Sequence, residues 1–291
     1  MPPRFDLQSH STNSDGVLSA ADVVARAAEA GVELLALSDH DTIAGVAEAV
    51  AAGEEHGVKI VPAVEISAVD AGASQPRELH ILGYDIDYTG AVMTRALDEF
   101  LADREKRTLR MRDALREVGF DLDEAEIEER IAAGKPIGRP HLAGAVLRAP
   151  ANAERLREEG IDDIGSLIRG YLIEGKAAFR LRETPTVAEA IDAVHQAGGV
   201  AVWAHPFWDI AQPAEVLASL DRFHAIGIDG VEAFYITHDE DQTRLLTDRA
   251  AELGLLTTGS ADFHGPENKQ FHSFMAFDTY GIDPNLGSIA S

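Results

Sequence analysis

Short apolar runs alternate with longer, alanine-rich amphipathic stretches over most of the chain, and the runs close on polar residues. Continuous apolar runs read as buried strands, whereas apolar positions three and four apart read as helices. Ser19 caps a helix that runs to Ala30, with Asp22 as the capping partner and Gly31 as the stop. Leu34-Leu35-Ala36-Leu37 is a strand leading into Ser38-Asp39-His40-Asp41. A helix from Ala44 to His56 ends at Gly57, and Val58 to Val64 is the next strand, delivering Glu65. Leu79 to Tyr84 is another strand, with His80 near its start. Two strand–helix units in succession predict a parallel sheet or barrel.

Residues 91–118 interrupt this rhythm with one long helical pattern, whose apolar positions are Val92, Leu97, Phe100, Leu101, Met111, Leu115 and Val118. Further polar helical stretches continue to about Gly175, and no clear strand precedes Ala177-Ala178-Phe179. Residues 89–176 therefore read as a helical cap subdomain inserted into an α/β domain made of 1–88 and 177–291. The alternation then resumes. A helix over Thr186–Ala197 precedes the strand Val200–Ala204, which delivers His205-Pro206. A helix around Ala214–Phe223, a strand at Gly230–Ala233 and a helix from Asp239 to Leu253 follow. The strand Leu255–Thr258 delivers Gly259-Ser260-Ala261-Asp262-Phe263-His264, and the tail after Phe277 is weakly structured.

Charge sharpens the division. The chain carries 25 Lys and Arg against 50 Asp and Glu, a net −25. Residues 89–182 hold 17 of the basic and 18 of the acidic residues, so nearly the whole imbalance lies outside the central segment. An acidic surface of this kind opposes general binding to a nucleic-acid backbone. The N-terminus has no basic segment followed by an apolar run, and no apolar stretch nears the roughly 20 residues of a membrane span, so a cytoplasmic protein is expected.

Composition also limits the chemistry. With no cysteine, any metal must be held by imidazole, carboxylate or other oxygen donors. Taken singly, the candidates are ordinary: Asp15 before Gly16 suits a turn, Asp39 suits a helix cap, and a strand-end His suits a structural hydrogen bond. Taken together, they cluster. Asp6 to Gly16 is dense in polar side chains, and His10, His40, Glu65, His205, Asp262 and His264 all enter loops at strand ends. In parallel βα folds those loops open on one face, where functional residues gather. Imidazoles and carboxylates without thiols are the donor mix of hydrolytic Zn, Mn or Fe sites.

The pieces Asp6-Leu7-Gln8-Ser9-His10-Ser11 with Ser14-Asp15-Gly16, Leu37-Ser38-Asp39-His40-Asp41, Val64-Glu65, His80-Ile81, Ala204-His205-Pro206 and Ser260-Ala261-Asp262-Phe263-His264 resemble, in order, the motifs of the polymerase-and-histidinol-phosphatase (PHP) family of metal-dependent phosphoesterases. They are most similar to its 3′,5′-nucleoside bisphosphate phosphatase and RNase AM-like branch. The resemblance spans nearly the whole chain and implies a distorted (β/α)7 barrel with two or three divalent ions, Mn, Zn or Fe. Carried over by position, it implies His10, Glu65 and Asp262 around one ion, and Glu65 bridging to a second held with His80 and His205. Asp15, His40 and His264 would hold the third, with Asp39 and Asp41 orienting neighbouring imidazoles. The expected reaction is in-line hydrolysis by a metal-bound hydroxide, carried by Asp262, His40 and Glu65 through the metal centre.

One position departs from the family pattern. Gln8 stands where the motif normally has a ligand His, and a carboxamide oxygen is a weaker, harder donor. The first site is therefore expected to be weak, oxygen-preferring or empty, with activity in Mn²⁺ and little tightly held Zn²⁺. Metal analysis of a Gln8→His variant checks this; unchanged occupancy and rate would remove Gln8 as a determinant.

The resemblance extends to the insertion, where the branch uses cap residues to contact a nucleotide. The corresponding residues are Arg104, Arg107, Arg139, His141 and Lys176, although a helix laced by local ion pairs explains the first two equally well. The implied partner is a small phosphorylated substrate, a nucleotide or short oligoribonucleotide, with no long duplex and no membrane. A histidinol-phosphate-type phosphatase is the alternative enzyme, disfavoured by the insertion and by Asp15. A non-catalytic nucleotide or metal sensor is the alternative class, opened by Gln8.

Overall fold

The computed structural model describes residues 4–132, 137–173, 175–181, 183 and 185–290, with Arg104 described in its backbone alone. Seven strands lie side by side in chain order: β1 (Phe5–Asp6), β2 (Leu34–Leu37), β3 (Lys59–Asp70), β4 (Arg77–Tyr84), β5 (Val200–Trp203), β6 (Gly230–Tyr235) and β7 (Leu256–Ser260). The first and last edges meet. The Leu7 N–H donates to the Gly259 carbonyl at 3.1 Å, and Ser9 bridges Phe263 in parallel, so the sheet closes into a distorted barrel. Closure removes the open edges that a seven-stranded sheet would otherwise expose.

The helical signals act where the sequence puts them. Ser19 caps Ala20–Ala30 by accepting from the Asp22 N–H, and Gly31 ends it at φ 85°. Thr186 and Asp239 cap Val187–Gln196 and Glu240–Leu253 through capping boxes with Glu189 and Gln242. Small alanine faces let the first two helices pack closely on β2: Val23, Val24, Ala27, Ala49 and Ala52 form one cluster with Leu35 and Leu37.

Three strand expectations change. Lys59–Asp70 is one long strand, so Glu65 sits within it instead of following it. Glu65 still lies beyond the end of β2, whose last pairing is Leu37 with Pro62, so its side chain emerges among the loops. Next, β4 runs antiparallel to both β3 and β5, because a short turn connects it to β3 with no room for a crossover helix. Last, Ala177–Phe179 is a turn, with Ala178 fully buried in a helical core. Phe5–Asp6 is a strand too short to stand out in the pattern.

The chain divides into two compact units, Met1–Leu97 with Pro185–Ser291, and Asp98–Thr184. Relative to the sequence reading, 89–97 join the barrel unit, where Met93 and Leu97 are buried, and 177–184 join the helical one. The helical unit packs Leu115, Phe120, Leu142, Val146, Leu167 and Leu172 in one core. The Arg155 guanidinium lies 3.9 Å over the Phe120 ring there. Among the described residues no helix is long and apolar enough to cross a membrane.

Candidate metal centre

The loop after β1 is fixed from both ends before it presents any donor. Asp6 is fully buried and its carboxylate accepts from the backbone N–H groups of Ala261 (3.0 Å) and Met275 (2.8 Å). Burial pushes its pKa up to about 7 against those bonds. Asp39, also buried, accepts from the Ser11 N–H and Oγ, both at 2.7 Å, and from Ser14 Oγ at 2.6 Å. Gly16 turns the chain so tightly that a Cβ there would sit 2.2 Å from the His10 carbonyl oxygen. The result is a rigid arm that carries His10 inward and Asp15 to its rim.

Around that arm, eight side chains converge. His10 Nε2 lies 3.1 Å from Glu65 Oε2 and 3.0 Å from Asp262 Oδ1. Glu65 Oε1 lies 2.6 Å from His80 Nδ1 and 3.2 Å from His205 Nε2, and those two nitrogens are 3.4 Å apart. Asp15 Oδ2 lies 3.6 Å from His40 Nε2 and 3.5 Å from His264 Nε2, while Asp15 Oδ1 is 3.6 Å from His10 Nδ1. His40 Nδ1 turns back to Glu65 Oε2 at 3.4 Å. Glu65 is thus the hub, touching four imidazoles.

The donor set fits divalent ions. His10 Nε2, His40 Nδ1 and Asp262 Oδ1 are buried and have no hydrogen-bond partner, although opposing atoms stand at hydrogen-bond distance. Lone pairs facing a common point fit this pattern. Ligand atoms about 2.1 Å from one ion stand roughly 3.0–3.4 Å from each other, which matches the spacing of His10 to Glu65 and Asp262 and of His205 to Glu65 and His80. Three backbone positions support the arrangement with left-handed geometry: Asp41 (φ 54°), His205 (φ 27°) and Asp262 (φ 54°). Non-glycine residues adopt it rarely, and strained backbone collects at functional sites.

Crowding these charges shifts them together. Burial alone would raise Glu65, but His40, His80, His10 and His205 hold it well below the usual carboxylate range. Burial would lower His205, yet Glu65 and Asp209 push it up to about 10. His10 is likewise carried well above its ordinary value by Asp262 and Glu65, against burial. Both directions describe a cluster that seeks positive charge at its centre.

Outside the donors, several residues hold them in place. The short contact between His264 Nδ1 and the Asp262 carbonyl oxygen (2.7 Å) places the proton on Nδ1 and leaves the Nε2 lone pair toward Asp15. Tyr235 Oη donates to Asp262 Oδ2 at 2.8 Å, and Glu232 accepts from the His205 N–H at 2.9 Å. Burial raises the Glu232 carboxyl to about 8. Neither Tyr235 nor Glu232 stood out in the sequence, yet a Glu inside the apolar run Gly230–Tyr235 is itself a signal. Asp39 binds Ser11 and Ser14 rather than an imidazole, a correction, because its strand end faces the arm. Asp41 accepts from the Ser67 N–H (2.9 Å) and Oγ (3.1 Å). Gln8 uses both ends of its carboxamide, donating Nε2 to Glu65 Oε2 at 2.9 Å and accepting from Ser260 Oγ at 3.3 Å.

The expected substrate residues lie in the helical unit. The Arg104 side chain falls outside the described residues. Arg107 is buried, donates Nε to the Arg180 carbonyl at 2.6 Å and lies 5.3 Å over Phe179, so it is tied into that unit. His141 Nδ1 accepts from the Gly138 N–H at 3.0 Å, capping the helix Arg139–Arg148. Arg139 is half-buried and Lys176 is exposed.

Comparisons with known proteins converge on one family. The PHP domain profile matches residues 6–173. A 5′-3′ exoribonuclease of Haemophilus influenzae is 36% identical over 266 residues, covering 91% of this chain and 92% of its own. A 3′,5′-nucleoside bisphosphate phosphatase of Chromobacterium violaceum is 31% identical, covering 90% and 87%. Among solved structures, a Bifidobacterium adolescentis protein assigned as a metal-dependent phosphoesterase superposes with a TM-score of 0.70 at 29% identity, covering 93% and 91%.

Proposed function

The chain belongs to the PHP domain family, and from that footing we propose that it hydrolyses phosphomonoesters of nucleotides, or the 5′-terminal phosphodiester of short RNA. It is a hydrolase of phosphate esters that depends on divalent metal. The observation that carries the reading is the convergence of His10, Asp15, His40, Glu65, His80, His205, Asp262 and His264 in one cluster that runs from buried Glu65, His10 and His205 to an open rim at Asp15. Three sites are proposed: His10 with Glu65 and Asp262; Glu65 with His80 and His205; and Asp15 with His40 and His264. Divalent ions held there supply a water of lowered pKa and neutralise charge growing on the phosphoryl oxygens.

The protein's own groups set up that chemistry. Glu65 presents one oxygen to each of two donor sets, so their spacing is fixed by a single carboxylate. Tyr235 aims Asp262, and Glu232 anchors the strained turn that delivers His205. Asp209 Oδ2 stands 3.7 Å from His205 Nδ1, on the side away from Glu65, where a carboxylate favours ligation through Nε2. Gln8, held by Glu65 and Ser260, is proposed to position Glu65 instead of ligating. Arg139 and Lys176 are the proposed phosphate contacts of the helical unit.

A turnover screen with Mn²⁺, reading inorganic phosphate freed from the monoesters and 5′-mononucleotide freed from the oligoribonucleotide, tests the reading. Adenosine 3′,5′-bisphosphate or a 5′-phosphorylated oligoribonucleotide is expected to turn over at least about tenfold faster than histidinol phosphate, a difference of ~1.4 kcal/mol in the barrier. A preference for histidinol phosphate would assign the other phosphatase activity. Nucleotide binding with no release from any substrate would make the protein a sensor.

A further inference from the structure

Trp208 is the one aromatic side chain among the large exposed hydrophobic residues described, with 52% of its surface open. It stands on the turn Pro206–Asp209, directly after His205, and its backbone N–H donates to the His205 carbonyl at 2.9 Å. Its ring centroid lies 5.6 Å from that of Phe271 at 61°. Phe271 is half-buried and tied to the other side of the centre, because its carbonyl accepts the His264 N–H at 2.9 Å. Its ring also lies 5.4 Å from the His264 ring and 6.4 Å from that of Tyr235. The rings form a continuous wall that starts at the donor cluster and ends at an open indole.

A single exposed apolar side chain is ordinary, but this indole continues a line of rings that begins at the donor cluster. Both aromatic residues are held by single backbone bonds to histidines of the centre, so the wall is fixed relative to the point where phosphate would sit. A ligand that used this wall would offer a flat π-face while its phosphate was held by the centre. A nucleobase of a nucleotide has both features, and stacking on an aromatic side chain contributes about 1–3 kcal/mol with little sequence preference. We propose that Trp208 and Phe271 form a stacking platform for the base of a nucleotide whose phosphate occupies the metal centre. The platform rests on the nucleotide reading above and adds to it a base subsite within the barrel unit.

Equilibrium titration with Mn²⁺ present tests it, using the methylenephosphonate analogues of adenosine 5′-monophosphate and ribose 5-phosphate, whose P–C bond is not hydrolysed, as the probe pair. The wild-type protein is expected to bind the nucleotide about tenfold or more tightly than the abasic sugar phosphate. Trp208→Ala is expected to bring that ratio below about threefold, and Trp208→Phe to restore most of it, because a ring face returns. Equal affinities in the wild type, or a ratio that survives in Trp208→Ala, would overturn the platform whatever the hydrolysis screen gives. A ratio abolished by Trp208→Ala in a protein that releases no phosphate would keep the platform and remove the phosphatase reading. An equal loss of both probes, with the ratio intact, would assign Trp208 a structural role and overturn the platform.

Discussion

Glu65→Gln is expected to lower kcat/KM by about 10³-fold or more, roughly 4 kcal/mol of transition-state stabilisation, and to strip bound metal. The substitution keeps the shape of the side chain and removes one negative charge from the hub. One acceptor oxygen becomes an NH₂ that donates where His10 Nε2 and His40 Nδ1, or His80 and His205, now face a lone pair. If that NH₂ takes the Oε2 position, it also meets the Gln8 Nε2 donor head-on. The unpaired donors are costly because the side chain is fully buried. Metal content by elemental analysis, turnover in Mn²⁺ and a circular-dichroism melt separate the effects: the fold should persist while metal and rate collapse. Wild-type metal content with wild-type turnover would sink the assignment of Glu65 as the shared ligand.

Asp262→Asn is the second large effect, again about 10³-fold in kcat with Tm shifted by only a few degrees. Asp262 sits at φ 54°, a conformation that Asn tolerates as well as Asp, so the backbone has no reason to move. Tyr235 Oη can keep donating to the amide oxygen, which turns the amide NH₂ toward His10 Nε2. A donor then replaces the Oδ1 lone pair. Tyr235→Phe provides the contrast: it frees Asp262 to rotate without changing its charge, and about 10–100-fold is the expected loss. If Asp262→Asn and Tyr235→Phe cost the same, Asp262 acts by orientation alone and is not a ligand.

Much of the barrel was legible because its signals are local. Ser19 with Gly31, Thr186 with Glu189 and Asp239 with Gly254 are caps that act within one turn of a helix. The apolar runs at Leu34 and Val200 are buried on both faces of the sheet and stand out without alternation. What escaped notice depends on distant partners. Phe5–Asp6 is a strand only because β2 and β7 flank it, and the antiparallel setting of β4 follows from its pairing with β3 over eight residues. Asp39 resembled an imidazole partner by its place beside His40, yet it holds Ser11 and Ser14, and no local pattern distinguishes the two roles.

The sequence by itself determined the donor types, their order along the chain and the strand ends that present them, since residue chemistry and periodicity are properties of neighbours. Only the tertiary structure decided which donors meet. Barrel closure brings Gln8 against Ser260, 252 positions away, and sets His10 between Glu65 and Asp262. It also decided that the Gln8 carboxamide is engaged at both ends and that Trp208 and Phe271 share a wall. Register between first and last strands is a long-range pairing, and one residue of slip would send every side chain of β1 to the opposite face.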